Sequence, residues 1–511
     1  MLETLGEVLP AAADQFGDKT ALVAGDRRFS FTELNELSNR LASGLRGIGV
    51  EAGDRVTLYA PNSWEWVVSY HAIHKLGAVA NPINVMLTPE EVGFVVKDCG
   101  AKALIASREK GVPVLALRGD DGQGGTLREV VLFGSGAPPT GARAFDELLA
   151  AGSADMQVAR VPPDSLSTIC YTSGTTGHPK GAMHSHRNVI VNTAMTAVMH
   201  VRTSEDTVVT ALPCPHVYGN VVMNASLLYG MTLVLLPSFD PAEVMAAIEE
   251  HRATLFEGVP TMFMYMLAHP DFDRFDLSSL TRCTVGGQTM PAAKMEEFER
   301  RAGCPLVELW GMTEIAGLGT TTPLYGKNRH GSIGVQLPHV ECRIADLQAP
   351  SKTMPVGEVG ELMVRGPIVM LGYYANEAAT RATIEPDGWL HSGDLARQDE
   401  DGYVWIVDRR KDMILTAGYN VYPAELERVI AMHPAVALVA VGPQPDAMKG
   451  EIAKAYVVLK PGETTDEESI VTHCRAHLAA YKVPRQVQFV DDVPKTSTGK
   501  IMRRELKTLD A

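Results

Sequence analysis

The chain has 511 residues, too many for one ordinary hydrophobic core, so two or more domains are expected. Apolar residues make up 45% and charged residues 21%, the composition of a folded globular protein, which excludes a disordered chain. With 46 Lys and Arg against 61 Asp and Glu the net charge is −15, which excludes the broad positive field of a general nucleic-acid or anionic-membrane binder; any phosphate ligand must be met locally.

The first residues carry acids and lack the basic start and apolar run of a signal peptide, so nothing directs export and a cytoplasmic protein is expected. Ser30 and Glu33 can form a capping box, and Leu34, Leu37, Leu41 and Leu45 then share one helical face, so an amphipathic helix is predicted to open the fold. Residues 55–60 read as a strand, 63–76 as a helix and 79–83 as a returning strand, a βαβ unit. Residues 103–106 and 130–133 are further short strands, with a polar Gly/Asp loop at 119–125.

Residues 166–171 form an apolar strand that feeds the loop of residues 171–182, Tyr-Thr-Ser-Gly-Thr-Thr-Gly-His-Pro-Lys-Gly-Ala, and 185–200 read as a helix. The loop is therefore expected where a strand hands over to a helix, the ligand side of an open α/β sheet. Gly174, Gly177 and Gly181 let backbone approach an anion and adopt positive φ, Thr172, Ser173, Thr175 and Thr176 add hydroxyls, and Lys180 adds a positive charge. This is phosphate-cradling chemistry, though not the common P-loop, because Pro179 precedes Lys180 and Gly181 follows it.

From 207 to 239 there is no Asp, Glu, Lys or Arg, but Pro213, Pro215, His216, Asn220, Asn224 and Pro237 interrupt the apolar runs, leaving them far below the ~20 residues of a spanning helix. Buried strands at 208–212 and 232–236 around a helix at 220–228 suit a parallel sheet covered on both faces. Strands at 253–257 and 283–285 each precede a glycine. Beyond Gly334 the strands shorten, with 358–365 and 403–407 the clearest, as in an antiparallel subdomain. The charged block 408–412 marks a domain boundary, and the last ~100 residues of mixed helix and strand form a small second domain. Cys99, Cys170, Cys214, Cys283, Cys304, Cys342 and Cys474 show no metal-binding spacing and read as buried thiols.

Further segments lean towards nucleotide chemistry. Residues 308–314 bring together Glu308, Trp310, Gly311, Met312, Thr313 and Glu314: an aromatic ring to stack on a base, a hydroxyl for phosphate and a carboxylate for Mg2+. Asp394, after Ser392 and Gly393, suits two ribose hydroxyls, and residues 494–500 present Lys500 from a glycine-hinged loop.

Taken together, residues 171–181, 310–314, 392–394, 409–418 and 494–500 resemble, in order, the core motifs of the adenylate-forming superfamily: acyl- and aryl-CoA synthetases, nonribosomal-peptide adenylation domains and beetle luciferase. The resemblance runs from about residue 10 to about residue 506. It implies an α/β fold in which residues 1–410 form a large N-terminal domain of stacked α/β sheets plus an antiparallel β subdomain. Residues 411–511 would form a small mobile α+β C-terminal domain. It also implies a two-step ligase: a carboxylate attacks the α-phosphorus of MgATP to give acyl-adenylate and pyrophosphate, then a thiol, usually coenzyme A, displaces AMP.

By similarity Thr172, Ser173, Gly174, Thr175, Thr176, Gly177 and Lys180 hold the β- and γ-phosphates, Thr313 touches phosphate and Glu314 ligates Mg2+. Gly287, Gln288, Glu308, Trp310, Gly311 and Met312 line the nucleotide, Asp394 binds the ribose hydroxyls and Arg409 contacts ribose or phosphate. Lys500 matches the catalytic lysine, Lys411 the hinge, and Gly418 the glycine that leaves room for the pantetheine arm. His216 matches a position at the mouth of the acyl pocket and is assigned to positioning. The family usually has tyrosine where Trp310 stands and alanine where Gln288 stands; Gln288 alters the adenine edge or narrows the acyl channel.

The resemblance builds the acyl pocket from residues 218–227, 286–287 and 311–317, which contain no Lys or Arg, so malonate-like diacids are disfavoured. A monocarboxylic fatty acid comes first and an aromatic or cinnamic acid second. A stand-alone enzyme loading a carrier protein is the alternative to a CoA ligase. The partners expected are the acid, ATP and CoA, with no nucleic acid and no stable membrane insertion; a homodimer is allowed but not required.

Overall fold

Local chemistry sets the element boundaries. The Ser30 hydroxyl accepts from the Glu33 amide at 3.1 Å while the Glu33 carboxylate accepts from the Ser30 amide at 2.8 Å, a cap of about 1 kcal/mol, and Phe31–Gly47 is the amphipathic helix the pattern predicts. It does not open the fold: the helix Val8–Phe16 and the paired strands Thr20–Ala24 and Arg27–Ser30 precede it. These three elements are too short for periodicity to signal.

A computed structural model describes residues 2–510 apart from 120–125, 173–178, 417–418, 447–449 and 496–500. The chain divides into two units, Met1–Glu341 with Val364–Leu390, and Cys342–Met363 with His391–Ala511.

The first unit carries two large sheets. One has nine strands, with Leu306–Met312, Arg282–Gly286, Leu255–Gly258 and Thr207–Thr210 parallel at its centre; Gly317–Thr321 runs antiparallel beside Leu306–Met312. The other has eight strands and starts from the edge with Gly372–Tyr373, Lys180–Ser185, Leu166–Thr172 and Val79–Pro82. The helix His186–Met199 packs against strands of both sheets, so the two are stacked with helices between them. The second unit holds the antiparallel sheet of Glu341–Ala345, Gly360–Arg365, Leu390–Gln398 and Val404–Arg409. It also holds a sheet centred on Val436–Asp446 and Gly450–Leu459, covered by the helices Pro423–Ala431 and Glu467–His477. The architecture is the mixed α/β fold expected. All seven cysteines are free thiols, and among the described residues no helix is long and apolar enough to cross a membrane.

One expectation fails. Residues 171–182 do not link a strand to a helix: Leu166–Thr172 and Lys180–Ser185 are antiparallel partners, with Tyr171 opposite Gly181 and Thr172 opposite Lys180. The second strand contains no β-branched residue, so its propensity gave no sign of it. The helix starts only after Ser185, whose hydroxyl accepts from the Asn188 amide at 3.1 Å.

Among the described residues, five histidines are buried in the first unit. Burial pushes His71 down to about 3, with Lys75 adding to the effect, and His184 and His186 down to about 4. Burial also holds His74 and His200 well below 6.5, assisted at His200 by Arg202 and Arg282. Each folded-state value lies below the unfolded one, so the unfolded chain takes up protons first as pH falls. Stability present at neutral pH is then lost on acidification, at about 1.4 kcal/mol per pH unit for each such imidazole. Calorimetry should show Tm falling steeply between about pH 6 and about pH 4; a flat profile across that window would contradict the burial.

Candidate active site

Lys180, Glu314 and a residue that no sequence motif singles out, Tyr373, come together in the first unit. The strand Gly372–Tyr373 pairs with Lys180–Ser185, setting Tyr373 opposite Ala182. Its ring lies 5.3 Å from Lys180 Nζ, and its hydroxyl donates to Glu314 Oε1 at 2.7 Å. Burial, then the Glu314 charge, raises the Tyr373 hydroxyl, so it stays a donor. One phenol thus touches an ammonium with its face and a carboxylate with its edge.

The turn that presents Thr313 and Glu314 leaves the strand Leu306–Met312 and returns as Gly317–Thr321, with Ala316 at φ 56° and Gly317 at φ 147°. A Cβ on Gly311 would lie 2.0 Å from the Gly317 carbonyl oxygen, so glycine is required there by backbone approach. The turn is bolted from behind. His184 Nε2 donates to the Thr313 carbonyl at 2.7 Å. Asn192 Nδ2 donates to the carbonyls of Ile315 at 3.0 Å and Leu318 at 2.7 Å, and its Oδ1 accepts from the Leu318 amide at 3.1 Å. One helical turn earlier, Asn188 Nδ2 donates to the carbonyls of Pro367 at 2.7 Å and Val369 at 3.0 Å. Two asparagines four residues apart, poor helix formers, were the available signal for this clamp.

The remaining expected residues of this unit are placed as follows. Thr172 sits opposite Lys180, and Ser173, Gly174, Thr175, Thr176 and Gly177 lie outside the described residues. Gly181 is not among the glycines at positive φ; its missing Cβ is needed because one would meet Ile169 at 2.7 Å and the Tyr171 ring at 3.1 Å. Tyr171 itself donates to Asp98 at 2.5 Å. Trp310 is 8% exposed, with its ring against Gly319. Glu308 is buried, pushed up to about 8 by that burial, and its Oε2 accepts from the Gly331 amide at 2.6 Å. Gly287, at φ 91°, and Gln288 are exposed just beyond the strand Arg282–Gly286. His216 is exposed at the start of the helix Val217–Leu228, where its Nδ1 accepts from the Tyr218 amide at 3.3 Å. The loop before it is held by Asn62, which accepts from the Cys214 amide at 2.8 Å and donates to the Leu212 carbonyl at 2.9 Å.

In the second unit Asp394 pairs across the sheet with Arg409, whose Nε is 3.4 Å from Asp394 Oδ1. The preceding Gly393, at φ 74°, gives its amide to Glu361 at 3.1 Å, and Glu361 also binds Arg410 at 2.8 Å. Lys411 is exposed. Asp408 accepts from the Ala424 amide at 2.8 Å, joining its strand to the helix Pro423–Ala431, and burial pushes it up to about 6. Gly418 and Lys500 lie outside the described residues.

A family model described as AMP-binding enzyme matches residues 9–374, and one described as AMP-binding enzyme C-terminal domain matches residues 425–500. A long-chain-fatty-acid–CoA ligase of Bacillus subtilis is 33% identical over 99% of this chain and 94% of its own. A methyl-dioxo-octahydroindenyl-propanoyl:CoA ligase of Mycobacterium tuberculosis is 38% identical over 98% of both. The crystal structure of the anthranilate CoA ligase AuaEII in complex with anthranoyl-AMP superposes with a TM-score of 0.92 at 31% identity, covering 99% of this chain and 97% of that one.

Replacing Asn192 by Ala strands three buried backbone groups of the turn. Asn192→Ala should therefore cost about 3 kcal/mol, read as a lower urea midpoint at unchanged m-value; a loss under about 0.5 kcal/mol, the scale of an ordinary surface change, would show that the clamp is dispensable.

Proposed function

The chain belongs to the AMP-binding enzyme family and is an AMP-forming acid–thiol ligase; we propose that it joins a monocarboxylic acid, a fatty acid first and an aromatic acid second, to coenzyme A at the expense of ATP. The acid's carboxylate oxygen attacks the α-phosphorus, pyrophosphate leaves, and the CoA thiolate then attacks the acyl carbon of the adenylate and expels AMP. The observation that carries this reading is the Lys180–Tyr373–Glu314 arrangement: a cation and a carboxylate held apart by a shared phenol, as a charge-neutralising phosphate site requires. The fatty-acid preference is supported by the Bacillus subtilis relative, and the aromatic alternative by the anthranilate ligase.

In this reading Thr172, residues 173–177 and Lys180 hold the pyrophosphate end of ATP, and Thr313 binds phosphate. A single carboxylate whose Oε1 is oriented by Tyr373 fits Mg2+, which keeps most of its coordination for water and phosphate oxygens; Glu314 would hold it, and it would supply charge neutralisation. Gly287, Gln288, Gly311, Met312 and Trp310 line the nucleoside, while Glu308, committed to Gly331, shapes the strand rather than touching the ligand. Asp394, oriented by Arg409, takes the ribose hydroxyls. His216, with Nδ1 engaged on its own helix, positions the acid and does no proton transfer. Lys500 bridges the α-phosphate and the acid carboxylate, and residues 411–511 reorient about Lys411 to bring Gly418 to the pantetheine arm. A separate carrier protein is the competing thiol donor; AMP release that depends on carrier phosphopantetheine and not on CoA would favour it.

Two variants test the roles. Lys500→Ala should abolish acid-dependent pyrophosphate exchange while retaining much of the thioester step from preformed acyl-adenylate; equal loss of both steps contradicts the assignment. Tyr373→Phe removes the donor to Glu314 and should lower kcat of adenylation about tenfold, the equivalent of one charge-assisted hydrogen bond, with a raised Mg2+ requirement. An unchanged Mg2+ titration would separate Tyr373 from the metal site.

A further inference from the structure

One buried carboxylate in the second unit gathers donors from the segments around Asp394, and the chemistry above gives it no part. Glu361 lies in the strand Gly360–Arg365 and is 3% exposed. Its Oε1 accepts from the Gly393 amide at 3.1 Å. Its Oε2 accepts from Arg410 Nη1 at 2.8 Å and stands 3.1 Å from His391 Nδ1, which is the donor because a carboxylate has no hydrogen to give. Three donors, from residues 391, 393 and 410, converge on one group.

The turn that leads into Asp394 is tied down residue by residue. The Ser392 hydroxyl donates to the Leu362 carbonyl at 2.5 Å and accepts from the Asp394 amide at 3.1 Å. The Gly393 carbonyl accepts from the Arg410 amide at 2.8 Å. Gly393 stands at φ 74°, and no atom lies within 4 Å of where its Cβ would be, so packing does not hold this peptide. A glycine there is free to turn, and its direction is set by its hydrogen bonds: the amide on Glu361 and the carbonyl on Arg410. Whatever turns the Gly393 peptide turns Asp394, the next residue, with it.

We propose that Glu361 is a positioning residue for the nucleotide: by gripping the Gly393 amide from a base fixed to Arg410 and His391, it aims Asp394 at the ribose hydroxyls and sets the preference for ribose over deoxyribose. This rests on the reading of Asp394 as the ribose ligand. Arg409, 3.4 Å from Asp394 Oδ1, restrains the carboxylate itself, whereas Glu361 restrains the backbone beneath it. Position 361 calls for a carboxylate and not an amide. Glutamine has the same shape, but its NH2 has to face either the Gly393 amide or the Arg410 and His391 donors, and in both cases a donor loses its acceptor. Thr172, Lys180 and Thr313, assigned to the phosphates, belong to the first unit and bond to none of these groups, so the loss should fall on the ribose hydroxyls alone.

The test is the Kd of MgATP and of Mg-2′-deoxyATP by isothermal titration calorimetry, without acid or CoA, in the wild type, Asp394→Ala, Glu361→Gln and Glu361→Ala. The wild type should bind ATP about tenfold more tightly than 2′-deoxyATP, the equivalent of one hydrogen bond to a charged acceptor. Asp394→Ala and both Glu361 variants should bring that ratio below about threefold by weakening ATP, with 2′-deoxyATP held within about twofold of the wild type. A Glu361 variant that keeps the wild-type ratio while Asp394→Ala abolishes it overturns the proposal and leaves the ribose reading standing. So does a Glu361 variant in which both nucleotides weaken by one factor, the mark of a general loosening. A wild type that binds the two nucleotides equally, or an Asp394→Ala protein that keeps the ratio, takes down the ribose reading and this one together.

Discussion

The site depends on keeping a positive and a negative side chain near each other without letting them neutralise. Lys180 lies in a strand of the eight-stranded sheet and Glu314 in the turn that leaves the nine-stranded one, and a direct pair would be the default for two such half-buried groups. Tyr373 interposes a ring that attracts the ammonium with its face and a hydroxyl that holds the carboxylate from its edge. Both groups are oriented by the one ring. In the proposed reading, a substrate that brings phosphates meets preformed charges rather than having to break an ion pair first.

The separation is supported by side chains that bond to the backbone around it. The helix His186–Met199 lies between the two sheets, and its two asparagines grip the segments that carry Glu314 and the approach to Tyr373. A primary amide is well matched to such a turn, because it offers two donors and an acceptor in one plane, enough to satisfy several main-chain groups of an irregular segment at once. The close packing of Gly311 against Gly317 closes the turn from the other side. In the second unit Asp408 plays a comparable part, accepting from the first turn of the helix Pro423–Ala431 and so tying that helix to the strand before it.

Much of this was legible in the residues. The capping box at Ser30, the strand at 55–60 and the helix at 63–76 follow from local rules, and the structure has them within a residue or two. The ordered motifs pointed to the family before any coordinate. What stayed hidden was whatever depends on tertiary pairing. The strand Lys180–Ser185 has no strand-like composition and exists because Leu166–Thr172 and Gly372–Tyr373 flank it. Tyr373 sits in a stretch with neither periodicity nor motif, and its role comes from a sheet edge almost two hundred residues from its partner strand. The pair Arg202–Glu257, with both side chains fully buried, left no signal in the sequence, since single-sequence patterning cannot tell a buried pair from two solvated charges. Glycine was misread in one place: Gly181 is not at positive φ, and its missing Cβ makes room for Ile169 and the Tyr171 ring.

The strand that carries Tyr373 is two residues long and lies at the edge of its sheet. Short edge elements open locally at free energies well below that of global unfolding, because few hydrogen bonds and little buried area have to be given up. The strand that couples Lys180 to Glu314 pairs on one side only, and Tyr373 is kept in place there by its packing with Ala182 and Met370. In the proposed reading, where ATP enters and pyrophosphate, AMP and the thioester leave, that edge is an element whose local opening costs a handful of main-chain hydrogen bonds and the packing of one ring.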